Sequence, residues 1–242
     1  MKILKPEDLI LHEDEDLILL NKPPHLTSEK DNAPGAKSLQ DIIRKLIPSA
    51  RLCHRLDRET SGIIVAAKTN EAYRYMSILF QKRQIEKEYH AIGTGVHRFA
   101  DLLIDLPLGK QGSAKAIIAY LEGKKAETLV NTLENFRHYT LIQALPTTGR
   151  FHQIRVHLAA KGCSLLGDNI YGGKPLLLSS IKRKYKLSKD AEEELPVISR
   201  AALHAYALKF NHPSGNEIII KAPYPKDFEV ALRLLRKHDT LI

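Results

Sequence analysis
The residues best equipped for chemistry lie in one stretch, His54-Arg55-Leu56-Asp57-Arg58-Glu59-Thr60-Ser61-Gly62. One carboxylate, Asp57, sits among Arg51, Arg55 and Arg58. Nearby positive charge offsets the cost of taking a carboxylate out of water, so Asp57 stays ionised even in a cleft. Such a group can serve as nucleophile or base beside a polyanion. For an arbitrary Arg-Leu-Asp-Arg, a surface ion pair is the better reading. Here a Thr-Ser-Gly turn signal and the apolar, strand-like run Ile63 to Ala67 follow directly.

A second constellation is Thr148-Gly149-Arg150-Phe151-His152-Gln153-Ile154-Arg155-Val156-His157. Arg150, Gln153, Ile154 and His157 recur at helical spacing, so their side chains can converge on one side. His152 and His157 do not match the i, i+4 pairing of a helical zinc site, and no glutamate follows the first as a water-activating base. They read as solvated or hydrogen-bonded histidines, and no metal is expected. The third piece, Lys87-Glu88-Tyr89-His90-Ala91, is weaker by itself, because a strand tyrosine more often packs than reacts.

Taken together, these strings resemble the motifs of the RluA family of RNA pseudouridine synthases. That family's pattern is His-Arg-Leu-Asp, two variable residues and Thr-Ser-Gly. Downstream it has Thr-Gly-Arg-x-His-Gln-Ile/Leu-Arg-x-His and Gly-Asp-x-x-Tyr-Gly, which Gly167-Asp168-Asn169-Ile170-Tyr171-Gly172 matches here. The Lys-x-Tyr-x-Ala segment is present at Lys87 to Ala91, and Asn21-Lys22-Pro23 looks like the family's Asn-Lys-Pro. Leu203-His204-Ala205, His212-Pro213 and Ala222-Pro223-Tyr224-Pro225 fit its closing pattern. Many relatives carry a small S4-type RNA-binding domain before the Asn-Lys-Pro segment. The residues ahead of Leu9 leave no room for one, so a form lacking it is expected.

The resemblance implies an isomerase that converts uridines in structured RNA to pseudouridine. It breaks the N1–C1′ bond, rotates the uracil and joins C5 to C1′, with no cofactor. Asp57 would start the reaction, by attacking the ribose or by taking the C2′ proton. Arg155 would hold Asp57; a carboxylate and guanidinium ~4 Å apart attract by about 4 kcal/mol at an effective dielectric near 20, before desolvation is subtracted. The planar fork also fixes the carboxylate's direction. Tyr89 would stack on the flipped uracil, a contact worth ~1–3 kcal/mol. Ile154 would supply an apolar wall. Arg55 would meet phosphate or fill the gap left by the flipped nucleotide, and His54, Arg58 and Arg150 complete the substrate-binding set.

Rival classes are weaker. A kinase catalytic loop needs His-Arg-Asp with an Asn five residues beyond the Asp, and an Asp-Phe-Gly; here Leu56 interrupts the triplet, Gly62 stands at the Asn position, and no Asp-Phe-Gly occurs. The remaining alternative is an RNA-binding protein without catalysis. Composition favours an RNA partner: the net charge is +9, which promotes binding to polyanions through counterion release. Ribosomal RNA of the 23S type and transfer RNA are both candidate substrates. Two cysteines, Cys53 and Cys163, make neither a disulfide framework nor a zinc site. The N-terminal residues lack a signal-peptide core, and no run approaches the ~20 apolar residues of a membrane span. A soluble, cytoplasmic monomer is the expectation.

The elements that must carry these groups alternate irregularly. Strands are expected at Leu9–His12 and Leu17–Leu20, the second stopped by Pro23-Pro24. Ser38 caps a helix bearing Leu39, Ile42, Ile43, Leu46 and Ile47, and Asn70 caps another reaching about Lys82. Extended segments follow at Lys87–Gly95, Ile117–Leu121, Thr128–Leu133 and Tyr139–Leu145, then a helix from Phe151 to Ala160 with Gly162 at its C-cap. Strands Leu203–Phe210 and Glu217–Ala222 precede a helix from Lys226. The pattern is α+β, a largely antiparallel mixed sheet with flanking helices. With the family's fold it implies one catalytic domain over residues 1–242 with a central RNA-binding cleft. Lys174 to Val197, irregular and carrying Lys182-Arg183-Lys184 and Glu192-Glu193-Glu194, reads as a surface insertion.

Overall fold
Asp14 makes the first reversal of the chain. Its carboxylate accepts from the backbone N–H groups of Asp16 and Leu17 at 2.8 and 2.7 Å, folding β1 (Ile10–Glu13) back antiparallel on β2 (Leu17–Lys22). The computed structural model describes residues 5–30, 37–112, 114–187 and 192–241. The elements that follow are α1 (Leu39–Leu46), β3 (Arg51–Leu52), β4 (Ser61–Ala67), α2 (Asn70–Gln81), β5 (Glu86–Thr94), β6 (Leu102–Asp105), β7 (Leu108–Gln111) and β8 (Lys115–Ile118). Then come β9 (Glu127–Asn135), β10 (Tyr139–Pro146), α3 (Gln153–Ala160), β11 (Leu203–Asn211), β12 (Glu217–Lys221) and α4 (Lys226–His238). The fold is α+β, and its sheet is mixed and mostly antiparallel. Contacts divide the chain into two units, Met1–Glu88 with His204–Pro225, and Tyr89–Leu203 with Lys226–Ile242.

In the first unit β4 is the central strand. β2 pairs with it antiparallel from Leu17↔Ala67 to Lys22↔Gly62, β3 pairs with its C-terminal end, and β11 runs parallel to it at Ser61 and Gly62. All seven β4 residues are buried, so both faces are covered and the strand reads as an unbroken apolar run. Leu17, Leu19, Ile63 and Val65 share a core with Met76 and Leu79 of α2 and with Leu208 and Phe210 of β11. Thr69 caps α2, accepting from the Ala72 N–H at 3.1 Å. This corrects the expectation of Asn70, which is the first helical residue. Ser38 caps α1 as expected, in a reciprocal box with Asp41. The apolar stripe of α1 is only partly used: Leu39 and Ile43 are buried, whereas Leu46 is exposed.

The second unit is an antiparallel array in the order β5-β10-β9-β6, beside a separate β7–β8 hairpin. Its core joins Ala91, Val130, Ile142 and Ala144 to Ile154 and Leu158 of α3 and to Leu165 and Leu203. The helix of the second constellation begins at Gln153, two residues later than expected, because His152 sits at φ 54 in the left-handed region. Gly162, at φ 74, ends it in the expected way. The short strands β3, β6 and β7 carry no sequence signal long enough to mark them. Within the irregular Lys174 to Val197 segment, Leu176 bridges to Ile198 just beyond it, and Leu176, Ile181 and Ile198 are buried. Residues 188–191 of that segment lie outside the described residues. Among the described residues no helix is long and apolar enough to cross a membrane.

Candidate active site
The Asp57 loop is tied down by the residues before β4. Lys22 ends β2 with its side chain completely buried, and its ammonium donates to the carbonyls of Pro23, Leu26 and Arg58 at 3.0, 2.8 and 3.3 Å. One amine therefore fastens the Asn21–Pro24 turn to the residue after Asp57. Ser28 does the same on the other side: its hydroxyl donates to the Leu56 carbonyl at 2.8 Å and accepts from the Leu56 N–H at 3.0 Å. Thr60 N–H closes the loop on the Asp57 carbonyl at 3.1 Å. Asp57 itself is half-buried, and its sequence neighbours Arg55 and Arg58 are exposed, whereas Arg51 pairs with Ala67 at the other end of β4. Arg55 lies 3.6 Å from Glu29, a partially solvated pair that contributes little stability.

The turn after Asp57 has a structural reason for its composition. Gly62 has φ +110, and a side chain there would run into the Ala205 backbone of the parallel strand. Ser61 donates to His204 Nδ1 at 2.9 Å, and His204 Nε2 lies 3.3 Å from the Ala222 carbonyl, which fixes the proton on Nε2. Thr-Ser-Gly is thus the seat on which β11 docks. His54 is part of the same frame. Its Nε2 accepts from the Val65 N–H at 3.1 Å, its ring stacks at a tilt on Phe80, and burial, with Lys87 nearby, pulls its pKa down to about 3. A ring held neutral with Nε2 occupied braces the loop. Lys87 is itself drawn down to about 8 by burial and by Arg83.

In the second unit Tyr89 stands on β5 opposite Ala144, partly buried against the core that includes Ala91 and Ile154. Ile154 is buried within that core. The start of α3 is held by Gln153 in place of a capping side chain. Gln153 Oε1 accepts from the Thr148 hydroxyl and the Arg150 N–H at 2.7 and 2.9 Å, and its amide donates to the Glu127 carbonyl and Thr128 Oγ1 at 2.9 and 3.0 Å. His157 continues the chain, with Nδ1 2.9 Å from Thr128 Oγ1 and Nε2 3.0 Å from the Leu106 carbonyl. His152 Nδ1 meets the Tyr171 hydroxyl at 2.9 Å, and burial with Arg155 nearby lowers its pKa to about 4. Both histidines are hydrogen-bonded parts of the frame. Arg150 is exposed, donating from Nε to the Lys125 carbonyl at 3.1 Å.

All of this framing delivers Arg155, which is 3% exposed. Its Nε and Nη2 donate to Asp168 Oδ2 and Oδ1, each at 2.6 Å, and Asp168 is wholly buried. The Tyr171 ring lies 5.2 Å from the Arg155 guanidinium carbon. Asp168 is the site residue that sequence reasoning missed, although Gly167-Asp168-Asn169-Ile170-Tyr171-Gly172 had been singled out. A buried arginine on a helix needs a counter-charge, and that string holds the acid. His54, Arg55, Asp57 and Arg58 thus share one braced loop of the first unit. Tyr89, Arg150, Ile154 and Arg155 belong to the second.

Residues 16–160, which include the Asp57 loop, Tyr89 and the Arg155 helix, match the family model described as RNA pseudouridylate synthase. The chain belongs to this family. A ribosomal large subunit pseudouridine synthase D from Haemophilus ducreyi is 35% identical over 240 residues, covering 94% of this chain and 70% of that protein. The Escherichia coli protein of the same name is 34% identical over 248 residues, covering 96% of this chain and 72% of its own. Among solved structures, human RNA pseudouridylate synthase domain containing 4 is similar at a TM-score of 0.72 and 25% identity, over 95% of this chain and 94% of that one. This RNA pseudouridine synthase is accordingly an isomerase: it acts on RNA and converts uridine to pseudouridine.

Proposed function
We propose that the substrate is ribosomal RNA of the large subunit and that Asp57 starts the reaction. The observation that carries this reading is the Asp57 loop itself. A half-buried carboxylate is held on a loop pinned by Lys22 and Ser28 and flanked in sequence by the exposed Arg55 and Arg58, within the family match. The relatives named as large-subunit synthases support the choice of RNA; transfer RNA is the second candidate. Asp57 either attacks the ribose or takes its C2′ proton. In either route the N1–C1′ bond breaks, the uracil turns, and C5 joins C1′ with loss of the C5 hydrogen. Isomerisation is neutral in redox and in energy supply, so no cofactor is invoked.

Arg155 is assigned the role of holding Asp57 charged and oriented. An arginine stays protonated at any relevant pH, and its Nε and Nη2 pair with Asp168. Tyr89 is assigned to stack on the extruded uracil, with Ile154 behind it and Arg55, Arg58 and Arg150 on phosphate. His54 serves the substrate by bracing the loop. Flipping costs a few kcal/mol, least in loops and junctions, so such targets are favoured. The whole chain is proposed to act as one catalytic domain, as a cytoplasmic monomer.

Release of tritium from large-subunit RNA labelled at uridine C5 tests the reading, since only the isomerase exchanges that hydrogen. Wild type should release it. Asp57→Asn should abolish release while RNA affinity holds or rises, because a negative charge has left a phosphate-binding surface. Wild-type release by Asp57→Asn would overturn the assignment, and binding without release by wild type would favour a non-catalytic RNA-binding protein.

A further inference from the structure
A cavity of about 320 Å³ in the first unit lies outside the Asp57 loop, between the Glu29–Lys30 segment, the start of α1, β3 and α2. Its volume falls in the ~300–1,000 Å³ range of small-ligand sites. Its most telling feature is a cation over a ring, with the Arg51 guanidinium carbon 3.9 Å from the centre of the Tyr73 ring. Arg51 is exposed, whereas Tyr73 is half-buried against the core, so the ring backs a planar cation at the surface. Arg44 and Lys30 line the same cavity. The two acids present are already engaged: Asp41 accepts from the Ser38 N–H and hydroxyl at 3.1 and 2.9 Å and lies 4.0 Å from Lys30, while Glu29 lies 3.6 Å from Arg55. Gln40 is fixed as well, bonded to Ala50 and Leu52.

We propose that this cavity is a second nucleotide site, which takes one unpaired ribonucleotide of the RNA strand apart from the nucleotide that reacts. A planar guanidinium supported by an aromatic ring suits the face of a base, and cations beside it suit the phosphate. The cavity is also continuous in sequence and contacts with the catalytic loop. Ser28 grips the Leu56 backbone, Glu29 pairs with Arg55, and Arg51 leads from β3 into His54. A strand that enters the loop over Arg55 therefore has a path to this site. The site supplies recognition by stacking and charge, which tolerates any base and selects for single-stranded character.

The proposal rests on RNA being the substrate. Tritium release tests that reading, whereas the test of the site measures binding alone, so the two fail separately. The probe is a uridine pentaribonucleotide carrying one 4-thiouridine, cross-linked to the protein with long-wave ultraviolet light, with its affinity measured by anisotropy. Cross-links should fall on the peptide that carries Tyr73. Arg51→Gln should weaken binding about 5- to 150-fold, the effect of losing one stacked base. Arg51→Lys, which keeps the charge and loses the flat face, should fall between Arg51→Gln and wild type. Equal affinity of wild type, Arg51→Gln and Arg44→Gln, or cross-links that miss the cavity, would overturn the proposal. Arg51→Lys binding as well as wild type would show a charge patch with no base site. Uridine monophosphate binding as tightly as the pentamer would assign the cavity to a free nucleotide instead.

Discussion

Arg155 and Asp168 form a two-pronged ion pair with both hydrogen bonds at 2.6 Å, one partner 3% exposed and the other fully buried. Such a pair adds little net stability over an apolar replacement, but breaking it leaves one charge stranded without water. Its value here is directional. A fork clamped on one edge cannot rotate, so the guanidinium plane of Arg155 is set by Asp168 before any substrate arrives.

Removal of the Asp168 charge should therefore cost about 3–5 kcal/mol in Asp168→Asn, measured by urea unfolding. Joining it to Arg155→Met should recover part of that loss, because no charge then remains buried. The same logic makes Arg155→Ala a variant that harms folding as well as turnover. A stability of Asp168→Asn within about 1 kcal/mol of wild type would show that water or another group replaces the carboxylate.

Acid should destabilise the protein well above the carboxylate range. His54 and His152 have pKa values lowered to about 3 and about 4 from an ordinary 6.5, and burial lowers His157 too. Each ring binds its proton more readily in the unfolded chain, so stability present above pH 6.5 declines as pH falls and continues to decline until the folded rings titrate. His152→Asn tests one contribution, because asparagine tolerates the left-handed backbone at that position. Its stability curve between pH 4 and 6.5 should be flatter than that of wild type. A parallel curve would place the acid sensitivity elsewhere.

The Asp57 loop was legible because its residues are exposed to chemistry and spaced along one stretch of chain. Its supports were less so. Lys22 and Ser28 act through backbone carbonyls and amides contributed by residues far along the chain, and such contacts leave no periodic signature. The strands with strong alternation or solid apolar runs, β2, β4 and β10, were found nearly to the residue. β3, with two residues, and β7, which exposes Lys110 and Gln111, were not, since their pairing is set by neighbours. Asn70 was the expected cap of α2, a residue type that caps well; Thr69 takes the role because Asn70 already has helical backbone.

Gly62 should tolerate no side chain. Gly62→Ala adds a methyl against the Ala205 backbone at φ +110, a strain of about 1–3 kcal/mol before any repacking. For a chain of this size each kcal/mol lowers Tm by about 2–4 °C, so calorimetry should show a fall of several degrees. Activity should fall further than stability, since the turn connects Asp57 to β4. An unchanged Tm would mean that β11 can move away without loss, and would remove the docking role assigned to Ser61 and Gly62.

The grip on RNA should be electrostatic and measurable through salt. Contact with six phosphates of a folded RNA would give log affinity against log salt a slope of about −4 to −5, between the single- and double-strand limits. Lys182, Arg183 and Lys184 are exposed side by side in the segment anchored by Leu176 and Ile181, and are proposed to share this load. Neutralising all of them should weaken binding and reduce the slope by up to about 2–3, with kcat at saturating RNA little changed. The competing view is that they solvate a loop whose acids lie nearby, as the Ser179 N–H to Glu194 bond at 2.8 Å illustrates. An unaltered slope and affinity in the triple variant would decide for solvation. The phosphate contacts would then fall to Arg55, Arg58 and Arg150, with Arg44 and Lys30 at the second nucleotide site, and the same measurement on their variants should return the missing charge.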